Sequence, residues 1–240
     1  MFVAQRSPEA RFMGGAWVFP GGAVDPSDAE RAAQVRSSEA TLGPWRAAAV
    51  RELVEEIGIW LTTEGARVDP IPPGDDVFTT AARSGTIFDG DGLAYFANWI
   101  TPAALPVRFD TRFFATEVAA GTDPIIDGHE LVDACWITPR AAIAHDEEGN
   151  WLVAFPTRKT LEFLSQFESP GAVQDAVASL SVVPPIEPRI AVDRDSVQIL
   201  LPGEAGFEAA GPSQEDPDLL ARMLEIARSG GVVPPELRRA

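Results

Sequence analysis

The sequence predicts an α/β fold with a proline-rich extension, and three features carry that prediction. An acidic stretch of helical character, Arg51-Glu52-Leu53-Val54-Glu55-Glu56-Ile57, is closed by Gly58. Short β-prone runs, Leu93 to Ile100 and Glu130 to Ile137, alternate with helical segments such as Arg140 to His145. A Phe19-Pro20-Gly21-Gly22 loop separates the first strands from the acidic helix.

In chain order, Phe2 to Gln5 reads as the end of a strand and the Pro8 region as a turn. Trp17 to Phe19 is a second strand running into the glycine loop. Glu52, Glu55 and Glu56 stand at i, i+3 and i+4 and share one helix face, whereas Leu53, Ile57 and Trp60 fall on other parts of the wheel. A Pro-, Gly- and Asp-rich stretch (Asp69 to Asp76) follows, then a short helix over Val77 to Ala82. After Leu93 to Ile100, the run Arg108-Phe109-Asp110-Thr111-Arg112-Phe113-Phe114 predicts a buried strand continuing to Val118. Glu130 to Ile137 is the next strand, and Thr138-Pro139 opens a helix over Arg140 to His145. A helix from Pro156 to Leu164 closes the domain on its sheet.

Residues 168–240 form a separate arm, punctuated by Pro184-Pro185, Pro188, Pro202-Gly203 and Pro212. Ile190 to Val192 and Val197 to Leu201 flank Asp193-Arg194-Asp195-Ser196 and predict a hairpin; Leu219 to Ala227 predicts a short amphipathic helix. The arm is too short for a core of its own. It is expected to pack on its own domain or on a second subunit, which makes a homodimer the expectation.

Size and composition bound the function. The 240 residues suit one full domain plus an extension. A hydrophobic content of 45% with 23% charged residues is that of an ordinary globular protein. A net charge of −17 argues against nucleic acid or an anionic membrane as partner. An anionic small molecule remains admissible, because a bound cation reverses the local field. The basic residues are arginines except Lys159. The single cysteine, Cys135, excludes an intrachain disulfide framework and a Cys-rich zinc site, and its apolar neighbours predict a buried small residue. His129 and His145 lack a third histidine, so no histidine zinc site is expected. The N-terminus lacks a basic segment followed by an apolar one, and no apolar run reaches the ~18 residues of a membrane span. A soluble cytoplasmic protein is expected.

Like charges at i, i+3 and i+4 repel by a few tenths of a kcal/mol per pair on an exposed helix. A solvated acidic face is one reading of Glu52, Glu55 and Glu56; a bound hard cation is the other, since carboxylate oxygens suit Mg2+ or Mn2+. The surrounding residues favour the second. Phe19-Pro20-Gly21-Gly22 together with Arg51 to Ile59 resembles the signature of the Nudix hydrolases, G-x5-E-x7-R-E-U-x-E-E-x-G-U with U aliphatic. The second half matches at every position. Counted from Gly22, the first Glu of the pattern falls on Asp28. Arg51 lies 29 positions after Gly22 where the pattern gives 14, a surplus of 15 residues (29 − 14) within about 29–44. That length suits a surface-loop insertion. Asp28, Glu39 or neither then supplies the first acidic position.

The resemblance implies an α/β/α sandwich with a mixed sheet over residues 1–167, and more strand upstream of Phe2 than the chain carries. It implies Mg2+ or Mn2+ held by Glu52, Glu55, Glu56 and a backbone carbonyl at Gly21. Gly22, Arg51 and Gly58 take structural roles, Arg51 holding a carboxylate of the cluster in place. Glu52, or a glutamate outside the box, accepts the proton of the attacking water. Glu130, six residues before Trp136, is the outside candidate, with Glu117 behind it.

The segment before the box also resembles the coenzyme A diphosphatases of this family, L-L-T-x-R-[SA]-x3-R-x3-G-x3-F-P-G-G. Arg6, Ser7, Arg11, Gly15 and Phe19 to Gly22 fall in register, and only Phe2-Val3-Ala4 departs. Arginines at fixed offsets on a loop grip phosphates through bidentate hydrogen bonds. Trp99-Ile100-Thr101-Pro102, Arg108 to Phe114 and the insertion resemble the peroxisomal subgroup of those enzymes. The implied reaction is hydrolysis of the diphosphate of coenzyme A or an acyl derivative to 3',5'-ADP and 4'-phosphopantetheine. Two other readings stay open: cleavage of another nucleoside diphosphate derivative such as ADP-ribose or NADH, and a binding module without catalysis. Replacement of the box glutamates would mark the last, and all three are present.

Overall fold

A computed structural model describes residues 1–72, 74–211, 216, 218–228 and 234. The first half of the chain forms β1 (Phe2–Arg6), β2 (Ala16–Val18), α1 (Pro26–Arg31), β3 (Val35–Arg36), α2 (Gly43–Ile57), β4 (Ile59–Thr62), β5 (Gly65–Val68), α3 (Val77–Ser84) and β6 (Phe88–Asp89). There follow β7 (Ala94–Ile100), β8 (Asp110–Ala115), β9 (Leu131–Trp136), α4 (Pro139–Glu147), β10 (Leu152–Val153) and α5 (Phe155–Leu164). The arm adds α6 (Pro170–Ala178), β11 (Pro185–Ile186), β12 (Arg189–Val192), β13 (Val197–Leu200) and α7 (Leu219–Arg228).

The sheet that carries the site runs β10-β2-β1-β9, mixed because β10 lies parallel to β2 while β1 is antiparallel to both its neighbours. Successive side chains of a strand point to opposite faces. Val3 accordingly packs with Trp17 and Val153 against Ala142 of α4 and Leu161 of α5. Its neighbour Ala4 packs on the other face with Leu131 against Ile57 of α2 and Ile59. Helices therefore cover both faces, which is the predicted α/β/α arrangement. Strands β3-β6-β4-β5 form a second sheet beside α2, and Val50 and Val54 of that helix meet Trp60, Phe78 and Phe88 in the largest core cluster.

The register of α2 explains the double use of this helix. Ala47, Val50, Val54 and Ile57 recur at spacings of three and four and are all buried, leaving Glu52 and Glu55 on the other side. Pro44 stands in the first turn, where the N–H it lacks has no helical partner. Gly58 ends the helix in the left-handed conformation (φ +68°), with its N–H directed to the carbonyls of Leu53 and Val54. Trp60 therefore belongs to β4 and not to the helix wheel.

Three expectations change. The segment 29–44 is not a simple surface loop. Asp25 and Asp28 cap α1 reciprocally, β3 pairs in parallel with β6, and Arg36 binds Asp89 at 2.7 Å. The strand expected to run to Val118 stops at Ala115, and its inner residues are half-buried because they border an open cleft. Cys135 is half-buried rather than buried.

In the arm, the hairpin β12–β13 pairs Arg189 with Leu200 through Val192 with Val197. Helix α7 covers it: Val197, Leu219, Met223 and Ile226 form a cluster with Ala104 and Leu105 of the main domain. Strand β11 extends β7 in parallel, Pro185 facing Asn98. The arm thus packs on its own chain, and the homodimer expected from it gains no support among the described residues. Pro212 lies outside those residues. No described helix is long and apolar enough to cross a membrane.

Candidate active site

The glycine loop lies directly on the acidic face of α2. Gly21, at φ +147°, donates its N–H to Oε2 of Glu56 at 2.8 Å. A Cβ placed on Gly22 would stand 2.4 Å from Oε1 of Glu52, so only glycine admits this approach. Two glutamates one turn apart are thereby pinned beneath one loop.

Arg51 organises the rest of that face. Its Nε and Nη2 grip Asp28 at 3.0 Å each, Nη2 also reaches the carbonyl of Ala23, and Nη1 donates to Glu52 and Glu55 at 2.8 Å. These five bonds use all five N–H groups of a guanidinium. Asp28 is fully enclosed, and its Oδ2 also accepts the N–H of Asp25. It anchors Arg51 and caps α1 rather than facing the cleft. Glu39 is exposed and accepts from Thr41, so neither candidate for the first acidic position joins the other glutamates.

Burial and crowding tune the pair. Glu56 is pushed up to about 8, first by burial and then by Glu52 and Glu130, against the pull of the Gly21 N–H and of Arg6. Glu52 is also raised, by burial above all, with Glu55 and Glu130 adding to it and Arg51 opposing. Of the two outside glutamates, Glu130 is the one whose charge raises both groups; Glu117 stands exposed on the cleft wall beyond β8.

Glu130 is held by a residue that the sequence motifs do not mark. The carboxylate of Asp127 accepts the N–H groups of His129, Glu130 and Leu131 at 3.0, 2.8 and 2.9 Å. Its own N–H donates to the carbonyl of Glu56 at 3.0 Å. Asp127 therefore links the end of α2 to the start of β9, occupying one of the carbonyls that a helix leaves unpaired. The only sequence signal is an Asp-Gly pair before a strand.

Arg6 ends β1 opposite Leu131, and its buried Nε finds no partner among the described residues. Arg11 is exposed on the turn between β1 and β2 and makes no ion pair among them. Both line a cleft of about 2320 Å3 together with Gly21, Glu52, Glu56 and Glu130. The cleft is thus lined both by carboxylates and by two arginines that form no salt bridge among the described residues. His129 is exposed, and His145 stacks on Trp151.

Among the described residues, no group of three or more Asp, Glu, His or Cys is already drawn together as a cage for a metal ion. The donor set nevertheless fits a hard divalent cation. Glu52 and Glu56 offer only carboxylate oxygens, and both have pKa values raised first by burial and further by neighbouring glutamates, which a cation would relieve.

Known proteins resemble this chain in fold and in sequence. The family model described as NUDIX domain matches residues 1–155. A Caenorhabditis elegans protein named "Putative nudix hydrolase 7" is 32% identical over 177 residues, covering 69% of this chain and 56% of that protein. The chain thus spans little more than half the length of that curated relative. The crystal structure of a NUDIX hydrolase from Alicyclobacillus acidocaldarius superposes with a TM-score of 0.62 at 31% identity, covering 76% of this chain and 89% of that one.

Proposed function

Because the chain belongs to the Nudix family, we propose that it hydrolyses a diphosphate linkage, with coenzyme A or an acyl derivative as substrate and 3',5'-ADP and 4'-phosphopantetheine as products. The observation that carries this reading is the pair Glu52 and Glu56 beneath the Gly21–Gly22 loop, lining a cleft that Arg6 and Arg11 also line. The coenzyme A assignment rests on the register of Arg6, Ser7 and Arg11 before the box.

Hydrolysis needs a water oxygen to bond to phosphorus while the bridging oxygen leaves with its electron pair. Glu52 accepts the proton that the water loses, a role its carboxylate can take from its place beside the Gly21–Gly22 loop on the cleft. Glu130, exposed at the mouth of the same cleft, is the alternative acceptor. Arg6 and Arg11 bind the phosphates and orient them. Arg51 positions Glu52 and Glu55, while Gly22 and Gly58 fix the loop and the helix end. Mg2+ or Mn2+ bound to Glu52, Glu55, Glu56 and the Gly21 carbonyl would supply charge neutralisation of the diphosphate and a lowered pKa for its water.

The test is product analysis with coenzyme A, ADP-ribose and NADH in manganese, using wild type and Glu56→Gln. Formation of 3',5'-ADP by wild type and its loss in the variant is the expected outcome. AMP from ADP-ribose or NADH, with coenzyme A intact, would overturn the substrate assignment. Turnover of none of them would overturn the reading for these substrates.

A further inference from the structure

One wall of the cleft joins a loop of the family-matched segment to residues beyond it. Loop 101–109, between β7 and β8, carries Ala104 and Leu105 into the cluster formed by β12, β13 and α7. Leu105, Ile190 and Ile199 of that assembly also line the cleft that holds Glu52 and Glu56. At the rim, the ring of Phe109 lies 5.2 Å from that of Phe12, which joins this loop to the turn bearing Arg11. Phe12 is 37% exposed and Phe109 45%, an aromatic pair in contact yet open to water. Exposed apolar surface that continues into a binding cleft is the usual mark of a ligand contact.

Several polar groups of the loop are spent on holding it. Arg108 donates through Nε to the Thr101 carbonyl and through Nη2 to Glu187 of the arm. The N–H of Phe109 binds Oγ1 of Thr101, and the N–H of Thr101 binds the Phe109 carbonyl. A nucleobase could stack on the two rings but is selected by hydrogen bonds to its edge, and Leu105, Ile190 and Ile199 beside them present aliphatic carbon instead. We propose that Phe12, Leu105, Phe109, Ile190 and Ile199 form a subsite for a flexible aliphatic chain carried by the substrate. The assignment rests on the diphosphate-hydrolase reading and makes the C-terminal arm, through Ile190 and Ile199, a contributor to selectivity.

The experiment compares coenzyme A with hexanoyl- and decanoyl-coenzyme A, below their micellar concentrations. Wild type should show kcat/KM rising about tenfold or more from coenzyme A to the decanoyl ester, chiefly through KM, because each buried methylene adds to binding. In the Phe12→Ala/Phe109→Ala variant that ratio should fall below about threefold, and Phe109→Leu should restore most of it. Both phenylalanines are partly exposed, so their truncation leaves no core cavity. Calorimetric binding of the same ligands in a chelator separates this inference from the reading beneath it. Tighter binding of the decanoyl ester by wild type than by the double variant upholds the subsite even if nothing is hydrolysed. Equal binding of coenzyme A and its decanoyl ester by wild type, or a chain-length preference that survives the double substitution, overturns it.

Discussion

Arg51 and Asp28 meet through two parallel hydrogen bonds of 3.0 Å, with Asp28 wholly enclosed. A carboxylate shut away from water is tolerated only when paired, and removing one partner strands the other. Asp28→Asn should therefore destabilise the fold by about 3 kcal/mol, read as a lowered urea midpoint at unchanged m-value. A variant as stable as wild type would show that the guanidinium is satisfied by Glu52, Glu55 and Ala23 alone.

Gly22 does not need a positive φ, so a methyl group there strains no backbone; it collides with Glu52. Gly22→Ala should lower kcat/KM about 100-fold through displacement of that carboxylate, while stability changes by no more than about 1 kcal/mol. Steady-state kinetics and thermal melting on one preparation check both halves.

What local periodicity governs was legible in the sequence. The spacing of Glu52, Glu55 and Glu56 fixed one helix face, the glycine loop fell where it could touch that face, and the β12–β13 hairpin followed from its turn residues. Arg6, Gly21, Glu52, Glu56 and Glu130 line one cleft. What depends on pairing between distant segments was not legible. Val35 pairs with Phe88 across the insertion, Asp28 turns inward because Arg51 sits behind it, and Asp127 joins α2 to β9 through backbone groups that no motif encodes. The end of β8 was misplaced for a related reason: apolar residues lining a cleft look like core.

Glu56 makes the stability of the cation-free protein depend on pH. Its carboxyl titrates at about 8 in the fold against 4.5 for the ordinary group, so the folded state binds the proton more tightly. That contribution is fully present below pH 4.5 and is lost as pH rises through 8. At its upper bound it amounts to several kcal/mol, since each tenfold gain in proton affinity is worth about 1.4 kcal/mol. Melting temperature in a chelator should fall between pH 5 and 8, Glu56→Gln should flatten that slope, and added Mn2+ should raise the wild-type curve most at the alkaline end. A wild-type slope identical to that of Glu56→Gln would contradict the assignment.

Glu52 and Glu130 differ in enclosure, and that difference separates them as proton acceptors. Glu52→Gln should cut kcat by about 10²- to 10⁴-fold, the usual worth of a positioned base, whereas Glu130→Gln should cost less than about tenfold. The reverse order would make Glu130 the base. A pH–rate profile for each variant identifies which substitution removes the acidic limb.

The two sides of the cleft are held by separate means. Arg51, Asp28 and Gly22 lock the carboxylate face from within the main domain, whereas β11, the Arg108–Glu187 pair and one apolar cluster fasten the arm. Among the described residues, the Arg51 guanidinium binds only Ala23, Asp28, Glu52 and Glu55, all far from the arm in the chain. Mutational drift in the arm can therefore remodel what the protein accepts without disturbing the reacting groups. For an evolving or engineered lineage, this makes recognition partly editable: changes at Ile190 and Ile199 of the arm would shift preference and leave the chemistry in place.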